Sequence, residues 1–430
     1  MKARGATSFV PGPPGPEIVR AEGCYLFTAS GQKIFDAAGG AIVANIGHGR
    51  PEVRDAVHRA MTDLSYVVPG FQCPQRTQLI ETLRRDWLPG RLNAVFFTSG
   101  GSEAVDAAFR VARQYHVARG DTARWKILGR DISYHGTTLA TLDVGGHDAR
   151  RASVRALGKD LPKAPAPYPL RRSLDAAQAL DDLIRREGPE TVAAFVAEPI
   201  TGASGGCIVP PDDYWPRVQE ICRRHGVLLI LDEVMVGFGR TGARFALEHW
   251  AIDADMMIAG KGLAAGYAPI VGLFATDAIV ETLADAGQSV MFYTYGGHPA
   301  ACAAASAVLD IMTREDLVAR AERMGRVLAQ RLTLLAQHPH IAEIRGRGLF
   351  HAIEIVKDRS TLECFSVQDQ IAQKIVAAGL ESGVFFYPGG NGTVRDIIVL
   401  GPPFTLGEDD IDRMVEVLGR AIDRGIAGAR

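Results

Sequence analysis

The chain has 430 residues, of which 47% are hydrophobic and 22% are charged. This length favours two domains, and the composition is ordinary for a globular enzyme. The 47 basic and 49 acidic residues give a net charge of −2, which argues against nucleic acid or an anionic membrane surface as a partner.

The six cysteines are scattered along the chain and include no C-x-x-C pair. Such spacing fits neither a zinc site nor a disulfide framework, and it indicates a reducing compartment. The N-terminal segment lacks the apolar stretch of a signal peptide, and no apolar run approaches the roughly 18 residues of a membrane-spanning helix. We therefore expect a cytoplasmic protein without a membrane partner.

Residues 1–50 are predicted to form the N-terminal part of a small domain. A proline-rich arm runs to about Pro16, and the apolar runs at 24–28 and 33–36 predict a hairpin around a Gly-containing turn. The glycine-dense segment at 36–50 is then a loop, and loops of this kind often line functional sites.

Residues 51–312 are predicted to form a large domain in which strands alternate with helices. This alternation is typical of a doubly wound α/β sheet, whose site lies beyond the carboxyl ends of its strands. The predicted strands are 93–98, 126–128, 193–196, 227–231, 256–259 and 270–275.

Two of these strands end in groups that suit amine chemistry. One ends in Asp232 and Glu233, and the next ends in Lys261, which stands between two glycines. Desolvation at the mouth of a buried sheet lowers the pKa of a lysine, and this makes the amine fit for Schiff-base chemistry with an aldehyde. If the aldehyde is pyridoxal phosphate, the acid can keep its ring nitrogen protonated. The alternative is a surface lysine on a turn and an aspartate that caps a helix.

Other predicted strand ends carry small or polar residues. Gly101 and Ser102 open a helix that runs to about residue 118, where free N–H groups and the helix dipole favour an anion. Ser102 could instead serve only as an N-cap. Tyr134 and His135 follow the next strand, and core packing is the alternative for Tyr134. Glu198 follows the strand after that.

Residues 313–430 are predicted to complete the small domain together with the N-terminal hairpin. The pattern predicts a long helix at 320–335, and no internal repeat is visible. Further strands are expected at 351–356, 384–387 and 397–400, and further helices at 367–381 and 408–424.

Taken together, these motifs resemble the class III aminotransferases, which are pyridoxal-phosphate enzymes of fold type I. The resemblance rests on the strings LDEVMVGFGRTG, AGKGLAAGYAP and YTYGGHPAACAAA, and it extends from about residue 31 to the last helix. It implies a large, mainly parallel sheet domain and a smaller α+β domain built from both termini.

The resemblance also implies a role for each site residue. Lys261 would form the Schiff base with pyridoxal 5'-phosphate and shuttle the proton, Asp232 would pair with the ring nitrogen, and Tyr134 would stack on the ring. These three are the predicted catalytic residues. The other predicted cofactor contacts are Gly101 and Ser102 at the phosphate, His135, Glu198, Val234, and Thr294, which would reach the neighbouring site of a homodimer.

The closest resemblance is to the amine and ω-amino acid:pyruvate branch. It implies ping-pong transfer from a donor amine to a keto acid acceptor. Thr137 stands where the ornithine branches often carry an arginine, which argues against a glutamate-centred enzyme. Ile42 and Ala203 are predicted to line a roomy apolar pocket, and Arg395 is predicted to bind the keto-acid carboxylate.

Several alternatives remain open. Racemases, aminomutases and decarboxylases of the same family use the same cofactor, and 2-oxoglutarate could replace pyruvate as the acceptor. A nucleotide-dependent dehydrogenase would need a G-x-G-x-x-G after its first strand, which the chain lacks. A cofactor-binding protein without catalysis is disfavoured because Lys261 and Asp232 are both present.

Overall fold

The computed structural model describes residues 15–429, so the predicted proline-rich arm, except for its last two residues, lies outside the described part. The strands are β1 (Ile18–Glu22), β2 (Tyr25–Thr28), β3 (Lys33–Asp36), β4 (Ala94–Thr98), β5 (Lys126–Arg130), β6 (Lys163–Ala164), β7 (Val192–Ala197), β8 (Leu228–Asp232), β9 (Met256–Ala259), β10 (Val271–Ala275), β11 (Ile341–Arg347), β12 (Phe350–Ile355), β13 (Val384–Phe385), β14 (Tyr387–Gly389) and β15 (Ile397–Leu400). The helices are α1 (Gly39–Ile42), α2 (Pro51–Asp63), α3 (Pro74–Thr82), α4 (Gly101–Ala118), α5 (Leu139–Val144), α6 (Asp148–Arg151), α7 (Ala176–Glu187), α8 (Tyr214–His225), α9 (Asp277–Asp285), α10 (Pro299–Arg314), α11 (Leu317–Leu332), α12 (Ile371–Glu381) and α13 (Glu408–Ile426).

The large sheet has the strand order β4-β10-β9-β8-β7-β5-β6. Strand β10 is antiparallel to both of its neighbours, and the remaining pairs are parallel. The carboxyl ends of β4, β9, β8, β7 and β5 therefore meet at one edge. Loops that leave this edge can bring residues from distant parts of the chain together.

Two hydrophobic cores lie on opposite faces of this sheet. Successive residues of a strand point to opposite faces, so Leu228 and Ile230 join the core that includes α4, whereas Leu229 and Leu231 join the other core. All residues of β7, β8 and β9 are buried. Burial on both faces explains why these strands read as uninterrupted apolar runs.

Two smaller sheets flank the large one in the chain. The first has the order β1-β2-β3-β13, and the second has the order β11-β12-β15-β14. Strand β13 pairs in parallel with β3, so hydrogen bonds join residues from both ends of the chain. The domain boundaries at residues 50 and 312 remain a prediction.

Some predicted C-terminal elements differ from the structure. The strand predicted at 384–387 is divided, because β13 belongs to the first small sheet and β14 to the second, with Phe386 between them. The helix predicted from 367 begins only at Ile371, since Gln370 has a left-handed backbone (φ +50°) that interrupts it. The predicted helix at 320–335 lies at Leu317–Leu332.

All six cysteines are free thiols, and five of them are buried. Within residues 15–429, no helix combines the length and the apolar character that crossing a membrane requires.

Candidate active site

A cavity of about 420 Å³ opens at the carboxyl edge of the large sheet. Its wall is built from the loops that follow β4, β5, β7, β8 and β9, together with the segment around β14. The predicted site residues that line it are Gly101, Ser102, Tyr134, His135, Glu198, Ala203, Asp232, Val234 and Lys261.

Lys261 has an unusual backbone and an unusual environment. Its φ of +46° lies in the left-handed region, which costs a non-glycine residue of order 1–3 kcal/mol and marks functional positions. Burial lowers the pKa of its amine, and Arg240 lowers it further, whereas Asp232 and Glu198 raise it. Among the described residues the amine has no hydrogen-bond or ion-pair partner. The amine therefore stands free against the cavity.

Asp232 is buried at the end of β8, and its carboxylate is held on two sides. One oxygen accepts a hydrogen bond from Nδ1 of His135 at 2.8 Å, and the other accepts from the backbone N–H of Val234 at 3.1 Å. The Nε2 atom of His135 is also buried and has no partner among residues 15–429. A negative charge is thus fixed in the cavity wall.

Glu233 does not reach the cavity, although sequence analysis placed both acids at the cleft. Its carboxylate accepts hydrogen bonds from the N–H groups of Ala246 and Leu247 at 2.9 and 2.8 Å. These two residues do not line the cavity. Neighbouring residues at a strand end point in opposite directions, so only Asp232 is available to the site.

The start of α4 offers backbone donors to the cavity. The carboxylate of Glu103 accepts from the N–H groups of Ser99 and Gly100 at 2.9 and 3.2 Å. The N–H groups of Gly101 and Ser102 stay free of intrahelical acceptors, as at any helix start. The N-cap is Gly100, so the alternative role of Ser102 as an N-cap is wrong.

Ser102 instead connects α4 to the loop after β5, since its Oγ accepts from the N–H of Thr137 at 3.0 Å. Gly136 lies against this contact with a φ of +141°, and a Cβ there would come 2.5 Å from Ser102 Oγ. Glycine is therefore required at position 136.

Gly136→Ala is expected to lower the free energy of unfolding by about 1–3 kcal/mol and to disturb the predicted phosphate site. Urea denaturation measures the loss of stability. Gly90→Ala is the matched control, because Gly90 has an ordinary φ and a Cβ at that position would meet nothing within 4 Å. Equal stability of the two variants would contradict the prediction.

Tyr134 lines the cavity and is only partly buried, so core packing does not describe it. Its ring lies edge-on to His147 with centroids 6.4 Å apart, and the guanidinium carbon of Arg150 lies 4.6 Å from its centroid. Sequence analysis did not identify His147 or Arg150. Both follow Tyr134 closely in the chain, and this closeness is the sequence feature that could have identified them.

Glu198 is buried, and its carboxylate accepts from the N–H of Gly202 at 3.1 Å. Nη2 of Arg130 lies 3.5 Å from the other carboxylate oxygen and donates to the Glu198 carbonyl at 2.6 Å. Burial raises the pKa of this carboxyl, although His135 and Arg130 oppose the rise. Arg130 was not predicted as a site residue, because an arginine at the end of an apolar strand is normally expected at the surface.

Three predicted site residues do not line the cavity. Ile42 is buried against Gly401 with a φ of +59°, and its neighbours Ala41 and Val43 line the cavity in its place. Thr294 is exposed on the surface of the chain.

Arg395 is the third of these residues. Its Nη2 donates to the carbonyl of Phe365 at 3.2 Å, and the residue lies outside the cavity wall. The structure therefore does not support Arg395 as the carboxylate-binding arginine.

The family model described as Aminotransferase class-III matches residues 13–422. The chain is 34% identical to the putrescine–pyruvate aminotransferase of Pseudomonas aeruginosa, over 95% of this chain and 91% of that protein. It is 35% identical to the hypotaurine/taurine–pyruvate aminotransferase of Paracoccus denitrificans, over 95% and 92% of the two chains. The omega transaminase from Pseudomonas jessenii in complex with PMP has a similar structure, with a TM-score of 0.91 and 30% identity over 96% of this chain and 93% of that one.

Proposed function

This chain belongs to the class-III aminotransferases, and we propose that it transfers the amino group of an amine or ω-amino acid to pyruvate by a ping-pong mechanism. The donor becomes an aldehyde or ketone, and pyruvate becomes alanine. The observation that carries this proposal is the free amine of Lys261, which shares one cavity with the buried carboxylate of Asp232. Two similar proteins named for pyruvate support the choice of acceptor.

The cavity fits pyridoxal 5'-phosphate, the cofactor of this family. Lys261 offers an amine without a partner, Gly101 and Ser102 offer free N–H groups at a helix start, and Asp232 offers a buried carboxylate. These are the groups that an aldehyde, a phosphate and a pyridine nitrogen respectively require. When bound, the cofactor withdraws electrons from the carbon that carries the amino group.

The residues of this chain then supply binding, orientation and proton transfer. Burial lowers the pKa of Lys261, so its amine would be able to take a proton from the donor carbon and deliver it to the cofactor carbon that is bound to the amino nitrogen. His135 and the Val234 N–H orient the carboxylate of Asp232. Tyr134 lines the same cavity and is partly buried, where its ring would stack on the cofactor ring.

Incubation with an amine donor and no keto acid tests the proposal. An aminotransferase releases one equivalent of aldehyde or ketone per site and then stops, because the amino group stays on the enzyme. Addition of pyruvate should restart turnover and yield alanine, and 2-oxoglutarate should be the poorer acceptor. Continuous turnover without any acceptor would instead identify a racemase, an aminomutase or a decarboxylase.

The homodimer belongs to the same proposal, and an exposed aromatic patch supports it. Phe292 and Tyr295 are 55% and 65% exposed, and Phe71 is 67% exposed. Tyr66 lies edge-on to Tyr295 at 6.3 Å and donates a hydrogen bond to the carbonyl of Thr294 at 3.1 Å. Exposed apolar groups of this size commonly mark a protein interface. A second copy bound to this patch would bury Thr294 in the interface, as its proposed contact with the neighbouring site requires.

Phe292→Asp is expected to shift the protein from dimer to monomer, because a charge in an apolar interface is strongly unfavourable. Light scattering during size-exclusion chromatography measures the mass. Leu157→Asp is the control, since Leu157 is 69% exposed and lies far along the chain from the patch. The dimer proposal fails if Phe292→Asp keeps the wild-type mass.

A further inference from the structure

Among the described residues the cavity wall holds four charged side chains, and three of them either have partners or take part in the proposed reaction. Asp232 is held by His135, and Glu198 accepts from Gly202 and lies beside Arg130. Lys261 supplies the reacting amine. The fourth, Arg150, has no assigned task.

Arg150 lies in the last turn of α6, on the exposed side of the cavity. Its neighbours are ion-paired, since Arg151 binds Asp148 and Asp160, and Arg155 lies 3.5 Å from Asp148. Within residues 15–429, the Arg150 side chain makes no hydrogen bond or ion pair, and its guanidinium carbon lies 4.6 Å from the centroid of the Tyr134 ring. This contact positions the guanidinium while its N–H groups remain free to bind an anion.

Besides Nε2 of His135, two buried polar atoms in the same wall lack partners among the described residues. Ser204 is 2% exposed, and its hydroxyl has no hydrogen bond. The Nδ1 atom of His147 is likewise unsatisfied. Buried polar atoms are nearly always hydrogen-bonded, so these two indicate a polar ligand in the cavity. Other residues of the wall, such as Ala41, Val43 and Met235, are apolar.

The charged groups of the wall therefore differ in position and exposure. The free amine and both carboxylates lie at the ends of strands of the large sheet, whereas the unpaired guanidinium belongs to Arg150, an exposed residue of α6. A substrate with an amine at one end and a carboxylate at the other would match this distribution.

We propose that Arg150 determines specificity by binding the carboxylate of an ω-amino acid donor, so that acid-bearing amines are preferred over plain alkylamines. This inference rests on the proposed aminotransferase function and assigns its substrate class. It gives Arg150 the anchoring role that sequence analysis had given to Arg395.

The test compares 5-aminopentanoate with pentylamine in the half-reaction without acceptor. Arg150→Ala is expected to lower the ratio of their kcat/KM values roughly 10- to 100-fold, as loss of a charged hydrogen-bonded pair does. Arg150→Lys should restore part of the ratio, because it keeps the charge but loses the planar fork. Arg155→Ala is the matched control and should leave the ratio unchanged, since Arg155 does not line the cavity.

A second measurement does not depend on turnover. Calorimetric titration of the holoenzyme with pentanoate, which cannot react, should show weaker binding to Arg150→Ala than to wild type and to Arg155→Ala. The inference is overturned if Arg150→Ala leaves the ratio and the pentanoate affinity unchanged, or lowers both donors equally, since Arg150 would then only support Tyr134. Failure of wild type to release product from any amine would instead overturn the proposed function, and the pentanoate titration would still test Arg150.

Discussion

Lys261→Met is expected to lower amino transfer by roughly 10⁴-fold or more, because the proposed function requires this one side chain both to hold the cofactor and to move the proton. Methionine has a similar length and suits a partly apolar site, so the fold should be retained. The amine is the group that is lost. Steady-state rates with a donor amine and pyruvate measure the effect.

The control for this variant is Lys374→Met, which removes an exposed lysine from α12 and should leave the rate unchanged. Borohydride reduction of the wild-type holoenzyme, followed by peptide mass analysis, should find the cofactor on the peptide that contains Lys261. A Lys261→Met enzyme with wild-type activity would refute the assignment.

The lowered pKa of Lys261 has a measurable consequence of its own. Only the neutral amine attacks an aldehyde, so cofactor-stripped enzyme should take up pyridoxal phosphate at a rate that rises with pH. The rise should level off at a lower pH than for an ordinary lysine, whose pKa is about 10.4, because burial favours the neutral form. A midpoint near that of an ordinary lysine would contradict this view of the site.

Asp232→Asn is expected to lower kcat by about 10²–10⁴-fold while it leaves the fold intact. Asparagine keeps the size and one acceptor oxygen but removes the carboxylate that is proposed to pair with the nitrogen of the cofactor ring. Single-turnover rates are the measurement, because they separate the chemical step from product release.

The neighbouring residue supplies the control. Glu233→Gln replaces a carboxyl group whose pKa burial raises to about 8 and which accepts from the N–H groups of Ala246 and Leu247, outside the cavity. It should lower thermal stability and change kcat by no more than about threefold, as substitutions away from a site usually do. If both variants lose the same fraction of kcat, Asp232 has no special role.

The comparisons confirm the predicted family and fold class, and the strand positions explain why the fold could be predicted. Strand β8 was predicted at 227–231 and is found at Leu228–Asp232, since burial on both faces gives an apolar run. Strands β1 and β11 were missed. Each lies at the edge of a small sheet and carries charged residues, so no apolar run marks it.

The candidate site could be predicted only where residues follow strands of the large sheet. Lys261 and Asp232 were found because their strands were found, and their roles remain proposals. Ile42 does not line the cavity, because its left-handed backbone turns the side chain away. The spacing of residues in a sequence does not show such a kink. Arg130 and Arg150 escaped notice because their importance depends on partners that are distant in the chain or absent from it.

The pairing of β3 with β13 has a consequence for how the protein is made. The cavity wall includes Ala41 and Val43, just after β3, and the segment from Tyr387 to Gly390, just after β13. The ribosome synthesises the first of these two segments early and the second near the end of translation. The large sheet can assemble while the chain is still emerging, but the pocket cannot close until nearly all of the chain has been released. The complete substrate pocket therefore forms last. A chain that stops before β13 would contain Lys261 but would lack part of the cavity wall around it.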